Sequence, residues 1–143
     1  MKIYLAAPLF TVAERMFNKA LALELEGLGY EVFLPQEDVN NDSESEQIFE
    51  ECLDNVRESD VVLAVLDGLQ ADAGVCVEMA IAYECGKTVI GLRTDFRPGA
   101  EGDSGVNIMV GGICDDVLNW AEFDLNLEDV VKGVSGYLKE YGK

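Results

Sequence analysis

The sequence contains no histidine, and basic residues are scarce. Ten Lys and Arg residues stand against 28 Asp and Glu residues, which gives a formal net charge of −18 at pH 7. Without histidine there is no Ser-His-Asp triad, and the commonest general base and zinc ligand are missing. Acid–base or covalent chemistry must therefore use carboxylates, tyrosine or cysteine. The negative charge serves solubility and also repels a phosphate backbone, so we expect no nucleic-acid partner.

Metal and phosphate motifs are missing as well. The four cysteines form no C-x-x-C pair and no metal-ligand spacing. Cys52, Cys76 and Cys85 fall in apolar-periodic segments, which favours buried, reduced thiols and a cytoplasmic location. Neither G-x-x-x-x-G-K-[ST] nor G-x-G-x-x-G occurs, which argues against a triphosphatase or a dinucleotide enzyme. We therefore predict an activity without metal or cofactor.

No apolar run is long enough to span a membrane, so we expect no membrane partner. The first ten residues superficially resemble a signal peptide. Their apolar run is short, contains Pro8 and is soon followed by Glu14 and Arg15. We interpret this segment as a first strand instead.

Hydrophobic residues make up 49% of the 143-residue chain, which suits one domain covering residues 1–143 with one core. Apolar runs and helical periodicity alternate along it. The predicted strands are Lys2–Ala6, Tyr30–Leu34, Val61–Leu66, Thr88–Leu92 and Val117–Phe123. The predicted helices are Thr11–Leu28, Ser43–Arg57, Ala73–Cys85, Val106–Val110 and Leu127–Tyr141. Arg93–Gly105, rich in Gly and Asp, is predicted to be a mobile loop.

Strands that alternate with helices predict a parallel sheet covered on both faces. We predict a flavodoxin-like, doubly wound, five-stranded parallel sheet in the order 2-1-3-4-5. Ligands of such sheets bind at the carboxyl ends of the strands, near the switch point between strands 1 and 3. This rule selects the segments 6–10 and 67–72. Within them, the candidate substrate-binding residues are Ala7, Phe10, Asp67 and Gly68.

The third predicted helix contains one unusual carboxylate. Glu78 is the only charged residue between Asp72 and Glu84 in an otherwise apolar helix. Such a helix is normally buried on most faces, where a carboxylate costs stability unless it is paired or useful. Burial would raise its pKa, and the nearby helix N-terminus would oppose that rise. The alternative is that Glu78 occupies a solvent-facing stripe.

Two further side chains are candidates near Glu78. Asp72 is a predicted N-cap, and the helical rise places it roughly 9 Å from Glu78 along the axis. One carboxylate oxygen can cap the helix while the other binds a ligand. Tyr4 lies on the strand next to strand 3, where it is either a core aromatic or a partner that orients Glu78.

These residues occur in segments that resemble the nucleoside 2-deoxyribosyltransferase family. The segments are KIYLAAPLF at 2–10, SDVVLAVLDG at 59–68, DAGVCVEMAIAYECGK at 72–87 and GVNIM at 105–109. Together they cover most of the chain up to about residue 112. The Leu-Asp-Gly sequence followed by Asp-x-x-x-x-x-Glu is fairly specific in this context.

The resemblance implies a retaining transfer of 2-deoxyribose between bases. Glu78 matches the family's nucleophile, which forms a covalent deoxyribosyl-enzyme in the manner of retaining glycosidases. Tyr4 matches the tyrosine that contacts the nucleophile. Asp72 matches a carboxylate that binds the ligand at the sugar 5′-hydroxyl, and Phe10 matches a residue of the base pocket.

The resemblance also implies partners. Asn107 and Met109 match residues that reach into the active site of a neighbouring subunit, so we expect a homodimer or a higher homo-oligomer. The expected ligands are a deoxynucleoside and a free nucleobase. The loops at 6–11 and 106–109 lack the Arg with which relatives hold a phosphate, and this favours nucleosides over monophosphates.

One position departs from the family pattern. Many members have an aspartate eight residues before the Asp that opens strand 3, and it helps to handle the base and its proton. Here that position is Cys52, and a thiol is a poor substitute for a carboxylic acid. Three hypotheses follow: a deoxyribosyltransferase, an N-glycosidase that hydrolyses the same bond, and a nucleoside-binding module without turnover.

Overall fold

A computed structural model of the chain describes residues 1–40, 42–98, 105–120 and 124–141. Strands and helices alternate along it, as the sequence predicts. The strands are β1 Lys2–Ala6, β2 Glu31–Phe33, β3 Val61–Val65, β4 Thr88–Arg93 and β5 Asp116–Asn119. The helices are α1 Val12–Gly27, α2 Pro35–Asp38, α3 Ser45–Glu58, α4 Ala73–Glu84, α5 Ile108–Gly112 and α6 Leu127–Tyr141.

The strands form one five-stranded sheet in the order β2-β1-β3-β4-β5, and all four pairings are parallel. This confirms the predicted flavodoxin-like order. β3 is buried along its whole length because strands pair with it on both sides and helices cover both faces.

Alternate residues of the strands face two separate cores. Ile3 and Leu5 of β1 pack with α1 and α6, whereas Tyr4 and Ala6 pack with α3 and α4. The second core includes Val56 of α3 and the α4 residues Val75, Met79 and Ala82. The candidate residues Tyr4 and Glu78 therefore lie on the α3–α4 side of the sheet.

The predicted caps account for several helix boundaries. Thr11 and Glu14 form a capping box at the start of α1, with the Glu14 amide 3.2 Å from Thr11 Oγ1. At the start of α6, Asn126 Oδ1 accepts from the Asp129 amide at 3.1 Å. These bonds satisfy amides that have no partner within the helix.

Some predicted boundaries are wrong. α2 was not predicted; it is one short helix with Pro35 in its first turn. α5 begins at Ile108 rather than at position 106, because Asn107 is the residue that caps it. β5 begins at Asp116 and ends at Asn119, where its pairing with β4 ends. The predicted strand end at Phe123 lies outside the described residues.

The prediction of a mobile loop is wrong for Arg93. This residue pairs with Asn119 as the last residue of β4, and its side chain is fully buried. Residues 94–98 and Gly105 belong to neither a helix nor a strand, and the rest of the predicted loop lies outside the described residues. Within the described part of the chain, no helix is both long enough and apolar enough to cross a membrane.

Candidate active site

A hydrogen bond joins the first strand to the fourth helix. The Tyr4 hydroxyl donates to Glu78 Oε1 at 2.6 Å. The Tyr4 ring is fully buried and stacks on Phe33, with ring centroids 5.4 Å apart. Packing against the sheet and α4 therefore holds the tyrosine in one orientation, and the tyrosine fixes the carboxylate in turn.

Burial dominates the electrostatics of Glu78. It raises the pKa of this carboxyl to about 7, and the charge of Asp72 adds to the rise, while the hydrogen bond from Tyr4 opposes it. Both protonation states are therefore populated at neutral pH. Burial and the charge of Glu78 raise the pKa of Tyr4, so its hydroxyl remains a donor.

Cys52 lies against the same pair. Its side chain is half-buried on α3 and packs on the core that contains Tyr4. Burial raises the pKa of the Cys52 thiol; hydrogen bonding to Tyr4 lowers it, and the charge of Glu78 raises it further. The departure noted in the sequence is thus a neutral thiol beside the Tyr4 hydroxyl.

Asp72 begins α4 as predicted. Its Oδ2 accepts from the amides of Gly74 at 2.9 Å and Val75 at 3.3 Å. Both bonds end on the same oxygen, so Oδ1 can take a bond from a ligand while the cap is kept. Asp72 also acts on Glu78 through its charge.

The Asp67 carboxylate accepts hydrogen bonds from within the protein. It accepts from the Thr94 amide at 2.6 Å, from the Thr94 hydroxyl and from the Asp95 amide at 2.9 Å. These bonds tie the end of β3 to the end of β4. Gly68 has φ +107°, a conformation that favours glycine, and its amide donates to Asp95 at 3.1 Å.

Clefts open at the carboxyl ends of the strands. One of about 440 Å³ includes Pro8, Asp67, Gly68 and Arg97 among its lining residues. A second of about 230 Å³ is lined by Leu69, Gln70, Ala71, Cys76, Asn107 and Val110. Glu78 lines neither of them. The structure thus joins Tyr4 and Glu78 directly but places Asp67 and Gly68 at a cleft that Glu78 does not line.

The remaining candidates lie on loops and at the surface. Ala7 is half-buried at the end of β1. Phe10 is 71% exposed, and the Arg15 guanidinium holds its loop by donating to the Phe10 carbonyl at 3.0 Å. Asn107 Oδ1 accepts from the Met109 amide at 2.8 Å, and Met109 is 74% exposed. Phe10 and Met109 therefore present large apolar side chains to solvent.

Arg93 was not among the predicted site residues, and its guanidinium bonds to two backbone segments near the site. Its guanidinium donates to the Leu66, Gly68 and Arg97 carbonyls. An arginine directly after an apolar strand is the one signal that could have drawn attention to it.

Solved structures of the same architecture include glycosyl-transferring enzymes. A conserved protein from Enterococcus faecalis is 28% identical, with TM-score 0.75, and the match covers 96% of this chain and 99% of that one. The 2-deoxyribosyltransferase of Bacillus psychrosaccharolyticus is 23% identical, with TM-score 0.69 and coverages of 92% and 90%. The CMP N-glycosidase of Clostridium botulinum is 21% identical, with TM-score 0.69 and coverages of 96% and 100%. No curated protein matches the chain.

The fold and these similarities define a class of flavodoxin-like proteins that includes enzymes acting on N-glycosidic bonds. The sequence model described as nucleoside 2-deoxyribosyltransferase matches residues 3–115. The chain belongs to the nucleoside 2-deoxyribosyltransferase family. Membership supports an enzyme that transfers or hydrolyses an N-glycosidic bond.

Proposed function

We propose that the protein transfers 2-deoxyribose between nucleobases through a covalent deoxyribosyl-Glu78 intermediate. The observation that carries this proposal is the 2.6 Å bond from the buried Tyr4 hydroxyl to Glu78 Oε1. A nucleophilic carboxylate must be held in place and must be ionised when it attacks. The bond supplies both, because it fixes one oxygen and stabilises the charged form.

In the first step Glu78 Oε2 attacks the anomeric carbon of a deoxynucleoside. The new C–O bond forms as the C–N bond to the base breaks, and the electron pair of that bond leaves with the base. The departing base takes up a proton from solvent water, and the transition state has oxocarbenium character. A sugar without a 2′-hydroxyl forms this cation more readily, which favours deoxyribose.

In the second step a nitrogen of another base attacks the same carbon and gives up its proton to solvent water. The C–O bond to Glu78 breaks and the carboxylate is regenerated, so two inversions restore the original stereochemistry. Asp72 Oδ1 binds the sugar 5′-hydroxyl while Oδ2 caps α4. Ala7, Phe10, Asp67 and Gly68 contribute to substrate binding from the loops at the strand ends.

A second copy of the chain completes the site. Asn107 and Met109 lie at the start of α5, where Met109 is highly exposed, and they reach the site of a neighbouring subunit in a homo-oligomer. The substrates are small molecules, a deoxynucleoside and a free base. The protein acts in the cytoplasm, in nucleotide salvage. A single domain of residues 1–143 contains all the residues that each copy contributes.

Hydrolysis of the same bond is the second candidate, and Cys52 is the observation that favours it. A neutral thiol beside Tyr4 cannot exchange protons with an incoming base as a carboxylic acid does. Water would then take the sugar from Glu78 and release it free. A non-catalytic nucleoside-binding module is the third candidate, and Cys52 is again the observation that favours it.

One incubation separates these candidates. The protein is mixed with 2′-deoxyadenosine and free cytosine, and products are followed by chromatography. Deoxycytidine supports transfer, free adenine without deoxycytidine supports hydrolysis, and the absence of both across all common bases contradicts an enzyme. A 2′-fluoro-arabinosyl nucleoside should add its sugar mass to the protein at Glu78, whereas binding without a mass change supports the binding module.

A separate comparison tests whether the substrate carries a 5′-phosphate. The loops at 6–11 and 106–109 contain no Arg, so a deoxynucleoside should turn over faster than its 5′-monophosphate. Faster turnover of the monophosphate would contradict this part of the proposal.

A further inference from the structure

Arg93 is a buried cation at the carboxyl edge of the sheet. It is the last residue of β4, and 1% of its surface is exposed. Its Nη1 donates to the carbonyls of Leu66 at 2.8 Å and Gly68 at 3.1 Å. Its Nη2 donates to the Arg97 carbonyl at 2.9 Å. A planar guanidinium can hold separate backbone segments in a fixed relative geometry.

Two of these carbonyls belong to the loop that leads to Asp72. Gly68 lies four positions before Asp72, and its amide is held by Asp95 at 3.1 Å while its carbonyl is held by Arg93. The loop is thus fixed just after β3. Its position sets where α4 begins, and with it where Asp72 lies.

The segment that precedes α5 rests on the same guanidinium. Gly105 has φ +66°, and a Cβ atom there would lie 2.5 Å from Arg93 Nε and 2.8 Å from Cζ. The Gly105 backbone therefore lies so close to Arg93 that no residue with a Cβ atom fits there without displacing the guanidinium. Asn107 follows two positions later and shares a cleft of about 230 Å³ with Gln70 of the first loop.

We infer that Arg93 is a positioning residue for substrate binding, since its guanidinium fixes the loop that ends at Asp72 relative to the segment that contains Asn107. The inference rests on the proposed function, in which these two residues contact substrate. A buried cation is costly unless its donors are satisfied, and satisfied buried networks make a structure rigid. Lysine keeps the charge but lacks the planar fork, so Arg93→Lys should loosen both segments.

The test is a double-mutant cycle measured by binding. Calorimetry gives the dissociation constant of 2′-deoxyadenosine for Glu78→Gln protein, which should bind it without turnover. Arg93→Lys and Asp72→Ser are then added singly and together; serine still caps α4 but lacks the second oxygen. We expect each single change to weaken binding about tenfold, and the two together to weaken it little further, because one acts through the other.

A purely structural role gives a different result. If Arg93 contributes only to stability, Arg93→Lys either leaves the dissociation constant unchanged or weakens binding by the same factor with and without Asp72→Ser. Either result overturns the inference. Val134→Ala, a buried change in α6, is the matched control for lost stability and should leave binding unchanged. If Arg93→Lys does not fold, Gly105→Ala displaces the same guanidinium and replaces it in the cycle.

The proposed function is tested separately. Turnover by the wild-type chain decides it, whereas the cycle in Glu78→Gln protein needs no turnover. Failure of that protein to bind any deoxynucleoside would overturn the inference even if the wild-type chain proved to be an enzyme.

Discussion

Tyr4 and Glu78 are 74 positions apart in the sequence, and a 2.6 Å hydrogen bond joins them across the interface of β1 and α4. The bond has two consequences. It orients a carboxylate that burial would otherwise keep protonated, and it opposes the rise of its pKa.

Glu78→Gln should abolish turnover while the protein stays folded. Glutamine keeps the size of the side chain but cannot form a glycosyl ester, so kcat should fall by roughly a thousandfold or more. The matched control is Glu84→Gln, an exposed position on the same helix. It should keep wild-type kcat in the base-exchange assay. Equal loss in both variants would show that Glu78 has no special role.

Tyr4→Phe should shift the pH profile of the reaction. The hydroxyl stabilises ionised Glu78, so its removal raises the pKa of Glu78 further above about 7. Attack requires the ionised form, and the acid limb of kcat/KM should move to higher pH. The loss of activity should therefore be greater at pH 6 than at pH 9. An acid limb that stays in place would contradict a role of Tyr4 in tuning Glu78.

Glu78→Gln should also stabilise the protein at alkaline pH. The pKa of Glu78 is about 7 in the folded chain against an ordinary value of 4.5. As pH rises from 4.5 to 7, Glu78 loses its proton in the unfolded chain before it does so in the folded chain. The free energy of unfolding of the wild type therefore falls. The full loss, present above pH 7, is on the order of 3 kcal/mol.

Glutamine does not ionise, so the variant avoids this loss. Its stability advantage over the wild type should be absent below pH 4.5 and should grow up to pH 8 in urea titrations. The measured quantity is the difference in free energy of unfolding between the variant and the wild type, because the other carboxylates titrate in both proteins and cancel. An advantage that does not change with pH would show that folding does not raise the pKa of Glu78.

Most elements could be predicted because they depend on local signals, and the sheet order follows from the alternation of strands and helices. The all-apolar run at 61–65 predicts a central strand, and Thr11 with Glu14 predicts the start of α1. The bond between Tyr4 and Glu78 was one of two alternatives, since no pattern tells a core tyrosine from a functional one. The interactions of Arg93 could not be predicted, because its acceptors converge only when the loops after β3 and β4 meet.

Cys52→Asp should increase base exchange relative to hydrolysis. An aspartate there would lie near Tyr4 and could accept or donate the proton of an incoming base, a contribution of about a hundredfold or more when well placed. Its charge would also raise the pKa of Glu78, so the assay is run at pH 8. Cys52→Ser is the control, since a hydroxyl resembles the thiol in protonation. An unchanged ratio of exchange to hydrolysis would show that residue 52 does not handle the base.

Two inactive variants should regain activity when they are mixed. If Asn107 of one copy completes the site built on Glu78 of another, Asn107→Ser protein and Glu78→Gln protein together form hybrids with one intact site. Serine keeps the cap of α5, so the fold is preserved. For an isologous dimer that exchanges freely at equal amounts, recovery should reach roughly a quarter of wild-type activity. Each variant alone, assayed at the same total concentration, is the control. If freely exchanging chains show only the sum of the two variants, each chain builds its site without the Asn107 of a neighbour.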